Sequence, residues 1–231
     1  MENVFLSVII PYHKKCGDIA PALATLAELL ATKPFLSEIL VISGDSGLLS
    51  SFCEKYQPKV RLEVLPLPEG QVRSQSRSYI FGVEKAGGEW ALLLDSDMIA
   101  LSSAVNSTIA EMRKPYDVIR TYRVNFSRRS PIRRAGSWLV NTIFNAGSKV
   151  RLKDVGSSFS AYRRKIYNNV SDPRFRKYHD FLPYAVVKLA EKEKIKEIPV
   201  EMPQNIPDVS SYRIADLVRL FFKILSLKIT S

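Results

Sequence analysis

The stretch Trp90-Ala91-Leu92-Leu93-Leu94-Asp95-Ser96-Asp97 constrains this chain more than any other. An unbroken apolar run behind the turn residues Gly87 and Gly88 cannot face water on either side. It reads as a strand buried on both faces, as in a parallel sheet. Such sheets place their ligands beyond the carboxyl ends of their strands, and here two carboxylates stand there. Ser96 between them is small, so Asp95 and Asp97 can both turn toward one hard cation, Mg²⁺ or Mn²⁺, able to hold a diphosphate. The plainer alternative is a solvated Asp pair opening a turn.

The preceding chain repeats one alternation. Phe5 to Pro11 is a first strand, which Pro11-Tyr12-His13 turns outward. Ile19, Leu23, Leu26 and Leu30 keep a helical period over 18–31, with Asp18 as N-cap and Pro21 near the first turn. Glu38 to Ile42 is a second buried strand, leading into Ser43-Gly44-Asp45-Ser46-Gly47. A helix around Leu48 to Tyr56, a strand from Val60 to Leu65 and a helix from Gln71 to Lys85 carrying Arg73 and Arg77 lead to the strand Trp90–Leu94. Ser102 to Met112 is then a short helix and Asp117 to Val124 a fifth strand. Strands alternating with helices of this length predict right-handed βαβ units and an α/β fold with a doubly wound, mostly parallel sheet.

Charge divides the chain. Residues 1–118 carry 11 Lys/Arg against 14 Asp/Glu, a net of −3, whereas residues 119–231 carry 23 against 9, a net of +14. The second part therefore faces something anionic, such as lipid headgroups, phosphates or nucleic acid. Arg120, Arg123, Arg128, Arg129, Arg133 and Arg134 fall in one acid-free stretch. Their guanidinium forks match phosphate oxygens bidentately, making a candidate phosphate grip; a basic loop without a ligand is the alternative. Trp138, Leu139, Ile143 and Phe144 follow on a helix that suits the headgroup level of a bilayer or, equally, core packing.

Asp154 precedes Gly156-Ser157-Ser158-Phe159-Ser160-Ala161-Tyr162-Arg163-Arg164, a loop, a short strand and a helix start. Asp180 before a helix to about Lys192 is an N-cap or a catalytic carboxylate, and Ile195 to Val200 is an edge strand. Pro199, Pro203 and Pro207 punctuate a linker to an amphipathic helix over 210–231. Arg213, Asp216, Arg219 and Lys223 share one side of it, with Ile214, Leu217, Phe221, Phe222 and Leu225 opposite. That helix fits a membrane surface, and docking onto its own domain or a partner serves it as well. The chain thus reads as one domain over 1–200, with halves 1–118 and 119–200, then a linker and surface helix over 201–231. No apolar run approaches a membrane span, Cys16 and Cys53 lack metal-ligand spacing, and no basic region precedes the first strand. A cytoplasmic location, peripheral on a membrane face and without a signal peptide, is expected.

Four segments together resemble the inverting nucleotide-sugar glycosyltransferases of GT-A fold, and among them the polyprenyl-phosphate hexosyltransferases. They are Ser7-Val8-Ile9-Ile10-Pro11-Tyr12, the strand ending in Asp95-Ser96-Asp97, Asp154-Val155-Gly156-Ser157-Ser158-Phe159 with Tyr162-Arg163-Arg164, and Glu197-Ile198-Pro199-Val200 with Ser210-Ser211-Tyr212. The resemblance implies that Pro11, Tyr12, His13, Asp45, Arg73 and Ser96 border the nucleotide sugar. It implies that Asp95 and Asp97 hold Mg²⁺ or Mn²⁺ and the donor diphosphate, and that Arg123, Arg133 and Ser137 receive the lipid phosphate. The chain departs from the family pattern at His13-Lys14-Lys15, where Asn-Glu is usual, at Ser43-Gly44, and at Ile99, where a glutamine ligand is usual.

The resemblance implies transfer of a hexose from GDP-mannose or UDP-glucose to a polyprenyl (dolichyl) phosphate at the cytoplasmic membrane face. A membrane-spanning partner subunit is compatible with it, and no nucleic-acid partner is expected. A phosphate acceptor is already ionised near neutrality and needs no strong base. If the acceptor were a sugar or lipid hydroxyl, a base would be required and Asp180 would be the candidate. A nucleotidyltransferase is disfavoured because the first strand lacks a glycine-rich, lysine-containing loop. A non-catalytic RNA- or membrane-binding module would use the basic charge and leave Asp95 and Asp97 without a role.

Overall fold

The computed structural model describes residues 3–13, 18–43, 59–67, 75–124, 131–146, 150–169 and 194–201, with the backbone alone at 131–133. The elements are β1 (Leu6–Pro11), α1 (Ala20–Ala31), β2 (Ser37–Ser43), β3 (Val60–Pro66), α2 (Gln75–Lys85), β4 (Trp90–Leu93), α3 (Ser102–Met112), β5 (Val118–Arg123), α4 (Pro131–Asn145), β6 (Ser160–Arg163), α5 (Arg164–Tyr167) and β7 (Ile195–Val200). The strands form one sheet in the order β3-β2-β1-β4-β6-β5-β7. Strands β1 to β4 pair in parallel, whereas β6 runs antiparallel to both neighbours, β4 and β5. The expectation of a doubly wound, mostly parallel α/β sheet holds, with β6 as the reversed strand.

The described residues fall into two compact units. One is drawn from Met1–Arg120 and Ser158–Lys196, the other from Thr121–Ser157 and Glu197–Ser231. In the first unit, side-chain alternation splits the strand residues between the two faces of the sheet. Ile9, Leu40, Ile42, Ala91 and Leu93 join Tyr79, Ile80 and Val83 of α2 and Ile166 and Tyr167 of α5 in one core cluster. Val8, Ile10, Ile39 and Val41 lie on the other face and are just as buried, where α1 packs on β2 and β3 and against α3.

Two glycines make this packing possible. A Cβ on Gly82 of α2 would fall 2.3 Å from Ile9 Cγ2 and 3.3 Å from Ile42, so α2 can lie this close to β1 and β2 only without a side chain there. A Cβ on Gly88 would fall 2.6 Å from the Ser7 backbone nitrogen. The turn before β4 is pinned accordingly. Gly88 N–H donates to Ser7 Oγ (2.8 Å), Ser7 Oγ donates to Glu38 Oε1 (2.5 Å), and Gly87 N–H donates to the same oxygen (2.6 Å).

One expected cap is displaced. Ile19 occupies the N-cap of α1 and makes no side-chain bond; Asp18, one residue earlier, accepts the Ala20 N–H at 2.9 Å. Pro21 takes an early position of α1 as expected. The expected helix around 48–56, the helix before Lys192 and the helix over 210–231 lie outside the described residues, as do Pro203 and Pro207 of the expected linker, whereas Pro199 lies within β7. Among the described residues no helix is long and apolar enough to cross a membrane.

Candidate active site

In the first unit, β4 delivers Asp95 beyond its carboxyl end, and the neighbouring elements close on it. The antiparallel ladder pairs Leu93 with Ser160 and Ala91 with Tyr162. Carried two residues further, that register sets Asp95 opposite Ser158, and the Ser158 hydroxyl donates to Asp95 Oδ2. From α2, the Gln75 amide and the Tyr79 hydroxyl (2.5 Å) both donate to Asp95 Oδ1. Gln75 and Tyr79 are four residues apart, hence on one helix face, and the tight packing at Gly82 holds that face over β4's end. Burial first, then the Asp95 and Asp97 charges, push the Tyr79 phenol well above its ordinary value. Tyr79 is therefore a protonated donor across the physiological range.

Asp95 is half-buried and oriented by three donors; Asp97, two residues on, is exposed. The donor set fits a hard divalent cation, which prefers carboxylate oxygens and water. Asp95 has about four acceptor directions, of which three are taken, leaving room for one further partner on Oδ2. Among the described residues no group of three or more His, Cys, Asp or Glu gathers around a common point. A hard cation held here would also accept water and diphosphate oxygens as ligands. Ile99, where the resembling family carries a glutamine, is fully buried.

Pro11 ends β1, and Tyr12 continues beside β2, its N–H donating to the Ile42 carbonyl at 2.9 Å. His13 is exposed. Asp45, Arg73 and Asp180 lie outside the described residues.

The arginines sort differently from the expected grip. Arg120 is 0% exposed, and its Nη1 donates to Tyr162 Oη at 3.4 Å, so it belongs to the sheet interior and not to a phosphate surface. The physical reason is strand parity: Arg120 shares a face with Val118, which pairs with Tyr162. In the second unit, Arg123 forks onto Asp154, with Nε 2.6 Å from Oδ2 and Nη2 2.9 Å from Oδ1. Both side chains are largely buried.

Helix α4 holds the loop that carries Asp154. Asn145 accepts the Leu152 N–H (2.9 Å) and donates to its carbonyl (2.9 Å). Asn141, one turn earlier, accepts the Val155 N–H (2.8 Å) and donates to the Lys153 carbonyl (3.3 Å). Ser137 is half-buried on α4, and the Arg133 side chain lies outside the described residues. The apolar quartet of α4 divides. Phe144 is 1% exposed and packs inward, whereas Trp138 (67%) and Leu139 (40%) face out beside exposed Arg134.

Sequence reasoning missed Gln75, Tyr79 and Ser158 around Asp95, and it missed Asp154 as the partner of Arg123. The four-residue spacing of Gln75 and Tyr79 ahead of the acidic strand was the available signal for the helical pair. Ser158 stood within a quoted motif, but nothing local tied it to Asp95, because its place depends on the register of a strand arriving 63 residues later in the chain.

A mostly parallel sheet whose central strand ends in an oriented acid followed by an exposed one, with a reversed strand beside it, agrees with the GT-A fold that the sequence resemblance implies. The chain belongs to glycosyl transferase family 2, whose model matches residues 7–171. It is 23% identical over 230 residues to the dodecaprenyl-phosphate galacturonate synthase of Rhizobium johnstonii, covering 98% of this chain and 67% of that protein. It is 22% identical over 227 residues to the undecaprenyl-phosphate 4-deoxy-4-formamido-L-arabinose transferase of Shewanella sediminis, covering 97% and 67%. The chain thus spans about two thirds of the length of these relatives. The glucosyl-3-phosphoglycerate synthase of Mycobacterium tuberculosis, solved with Mn²⁺ and UDP-glucose, shares the fold at a TM-score of 0.59 and 12% identity, covering 98% of this chain and 78% of that one.

Proposed function

We propose that this glycosyltransferase moves a sugar from a nucleotide sugar to a polyprenyl phosphate, with inversion, while resting on the cytoplasmic face of a membrane. The observation that carries the proposal is the Asp95 site, where three donors from two elements fix one carboxylate beside exposed Asp97. The names of the two curated relatives, both transferases onto a polyprenyl phosphate, support the acceptor class.

Asp97, with Asp95 behind it, would hold Mg²⁺ or Mn²⁺. A bound divalent cation supplies charge neutralisation to the departing nucleoside diphosphate. Pro11, Tyr12, His13, Ser96, Asp45 and Arg73 are assigned to the nucleotide-sugar side. The acceptor phosphate is its own nucleophile: one of its oxygens bonds to the anomeric carbon as the bond from that carbon to the diphosphate breaks. No side chain has to remove a proton, because the phosphate is ionised near neutrality. Arg133 and Ser137 are assigned to that phosphate, since guanidinium forks bind such oxygens bidentately, whereas Arg123, whose Nε–Nη2 edge is taken by Asp154, is assigned to ordering the loop that carries Asp154. The donor is left to a panel that includes GDP-mannose, UDP-glucose and nucleotide-activated galacturonate and formamido-arabinose.

The test is transfer of labelled sugar from each donor into extractable polyprenyl phosphate, with Mn²⁺ or Mg²⁺ and with EDTA. Asp97→Ala should reduce turnover by at least about a hundredfold, and Arg133→Ala should act chiefly on the acceptor KM. Full activity in EDTA would overturn the metal assignment. Efficient transfer to a sugar hydroxyl that collapses in Asp180→Asn would overturn the acceptor assignment.

A further inference from the structure

The first unit contains a polar chain that none of the roles above uses. Arg120 is fully buried on β5, and the ladder sets it beside Ser160, on the sheet face that carries Val118 and Tyr162. Its Nη1 donates to Tyr162 Oη (3.4 Å). Tyr162 Oη and Ser160 Oγ are 2.7 Å apart, and Ser160 Oγ donates to the Ser158 carbonyl at 3.0 Å. A hydroxyl has one proton. Because the Ser160 proton goes to Ser158, the Tyr162 proton must go to Ser160. The donors therefore all run one way, from a buried cation toward the residue whose own hydroxyl grips Asp95. Linked hydrogen bonds pointing the same way polarise and stiffen one another.

Asp95 is only half-buried, so water could satisfy part of its carboxylate. Three protein donors on such a group exceed what its solvation requires. They remove its rotational freedom and leave one direction for a further partner. Resting on the metal and diphosphate reading of the site, we infer that Gln75, Tyr79 and Ser158, with the Ser160–Tyr162–Arg120 chain behind Ser158, are positioning residues that present Asp95 to the cation and diphosphate in a single orientation. Outer partners of this kind are worth roughly 10–100-fold in metal affinity.

The experiment measures Mn²⁺ binding directly, by the loss of the free-ion electron paramagnetic resonance signal, with uridine diphosphate or guanosine diphosphate present. Thermal midpoints of the same samples are taken without metal. Tyr79→Phe and Ser158→Ala should each weaken Mn²⁺ binding about tenfold, and Ser158→Thr, which keeps the hydroxyl, should restore it. Tyr162→Phe, one bond further back, should weaken it about threefold. Gln75→Leu alters an exposed residue at the described start of α2, so it should weaken Mn²⁺ binding with its midpoint unchanged. It keeps the test decisive if a buried variant fails to fold. Mn²⁺ affinities within twofold of wild type in the folded variants, with only midpoints lowered, would overturn the inference. If Asp97→Ala abolishes binding while these variants do not weaken it, the inference alone fails. If the wild-type protein binds no Mn²⁺ with either nucleotide, the metal reading fails with it.

Discussion

Replacing Trp138 with serine tests whether the protein meets a membrane through α4. Trp138 is 67% exposed on α4, next to Leu139 and one turn after Arg134. A Trp side chain offers about 200 Å², so the exposed share is about 130 Å². At about 25 cal/mol per Å², removing all of that area from water would be worth about 3 kcal/mol. A helix lying at headgroup depth sinks its apolar face only partway, so half of that, about 1.6 kcal/mol, is the expected contribution. Since about 1.4 kcal/mol is tenfold, Trp138→Ser should lower the partition coefficient onto liposomes by about 15-fold. The assay is co-sedimentation with vesicles of 30 mol% anionic lipid, run in parallel at high salt. Salt should weaken wild type and variant alike through the basic residues and leave their ratio unchanged. The thermal midpoint should not move, because an exposed side chain contributes little to the core. A partition coefficient within twofold of wild type, from a protein that remains folded, would refute lipid contact by this face.

Two further predictions concern what holds each unit together. Asp154→Asn keeps the shape of the carboxylate but strips the charge from a largely buried ion pair with Arg123, and losing one partner of such a pair costs about 3 kcal/mol. The midpoint should fall by about 6–12 °C in a thermal scan; a drop under 2 °C would show that the pair is idle. Gly82→Ala drives a methyl to 2.3 Å from Ile9 Cγ2, an overpacking cost of about 1–3 kcal/mol. Since α2 carries Gln75 and Tyr79, the same variant should also weaken Mn²⁺ binding, measured by the free-ion signal, and unchanged values of both would refute the close-packing argument.

Much of the first unit could be read directly, and the reason is local. β4 and the Ile39–Ile42 core of β2 are apolar runs, α3 keeps its expected limits at Ser102–Met112, and the β6–α5 junction follows the Ser160–Arg164 pattern. Hydrophobic period alone determines such elements. The surroundings of Asp95 were not legible, because they come from hydrogen-bond partners 16, 20 and 63 residues away. A polar side chain has no periodicity to betray its partner. The reversed direction of β6 was hidden for a similar reason: a four-residue strand carries no mark of which way it runs.

The arginine-rich stretch shows why composition and position must be argued separately. By charge alone, Arg120, Arg123 and Arg134 are equivalent, and a single grip is the natural reading. Backbone geometry separates them. Arg120 and Arg123 sit on the same strand three residues apart, so they point to opposite faces of the sheet. One is enclosed with Tyr162, and the other reaches a carboxylate on the loop that Asn141 and Asn145 tether. Arg134, on α4, is exposed beside Trp138 and Leu139. Neutralising each should therefore produce three different defects, not three degrees of one. Arg120→Met should disturb Mn²⁺ binding and folding, Arg123→Met the stability of the Asp154 loop, and Arg134→Gln only the salt-sensitive part of vesicle binding, read by the same free-ion, thermal and co-sedimentation measurements. Parallel losses in all three assays for all three variants would mean that the cluster acts as one surface after all, and that strand parity had been given too much weight.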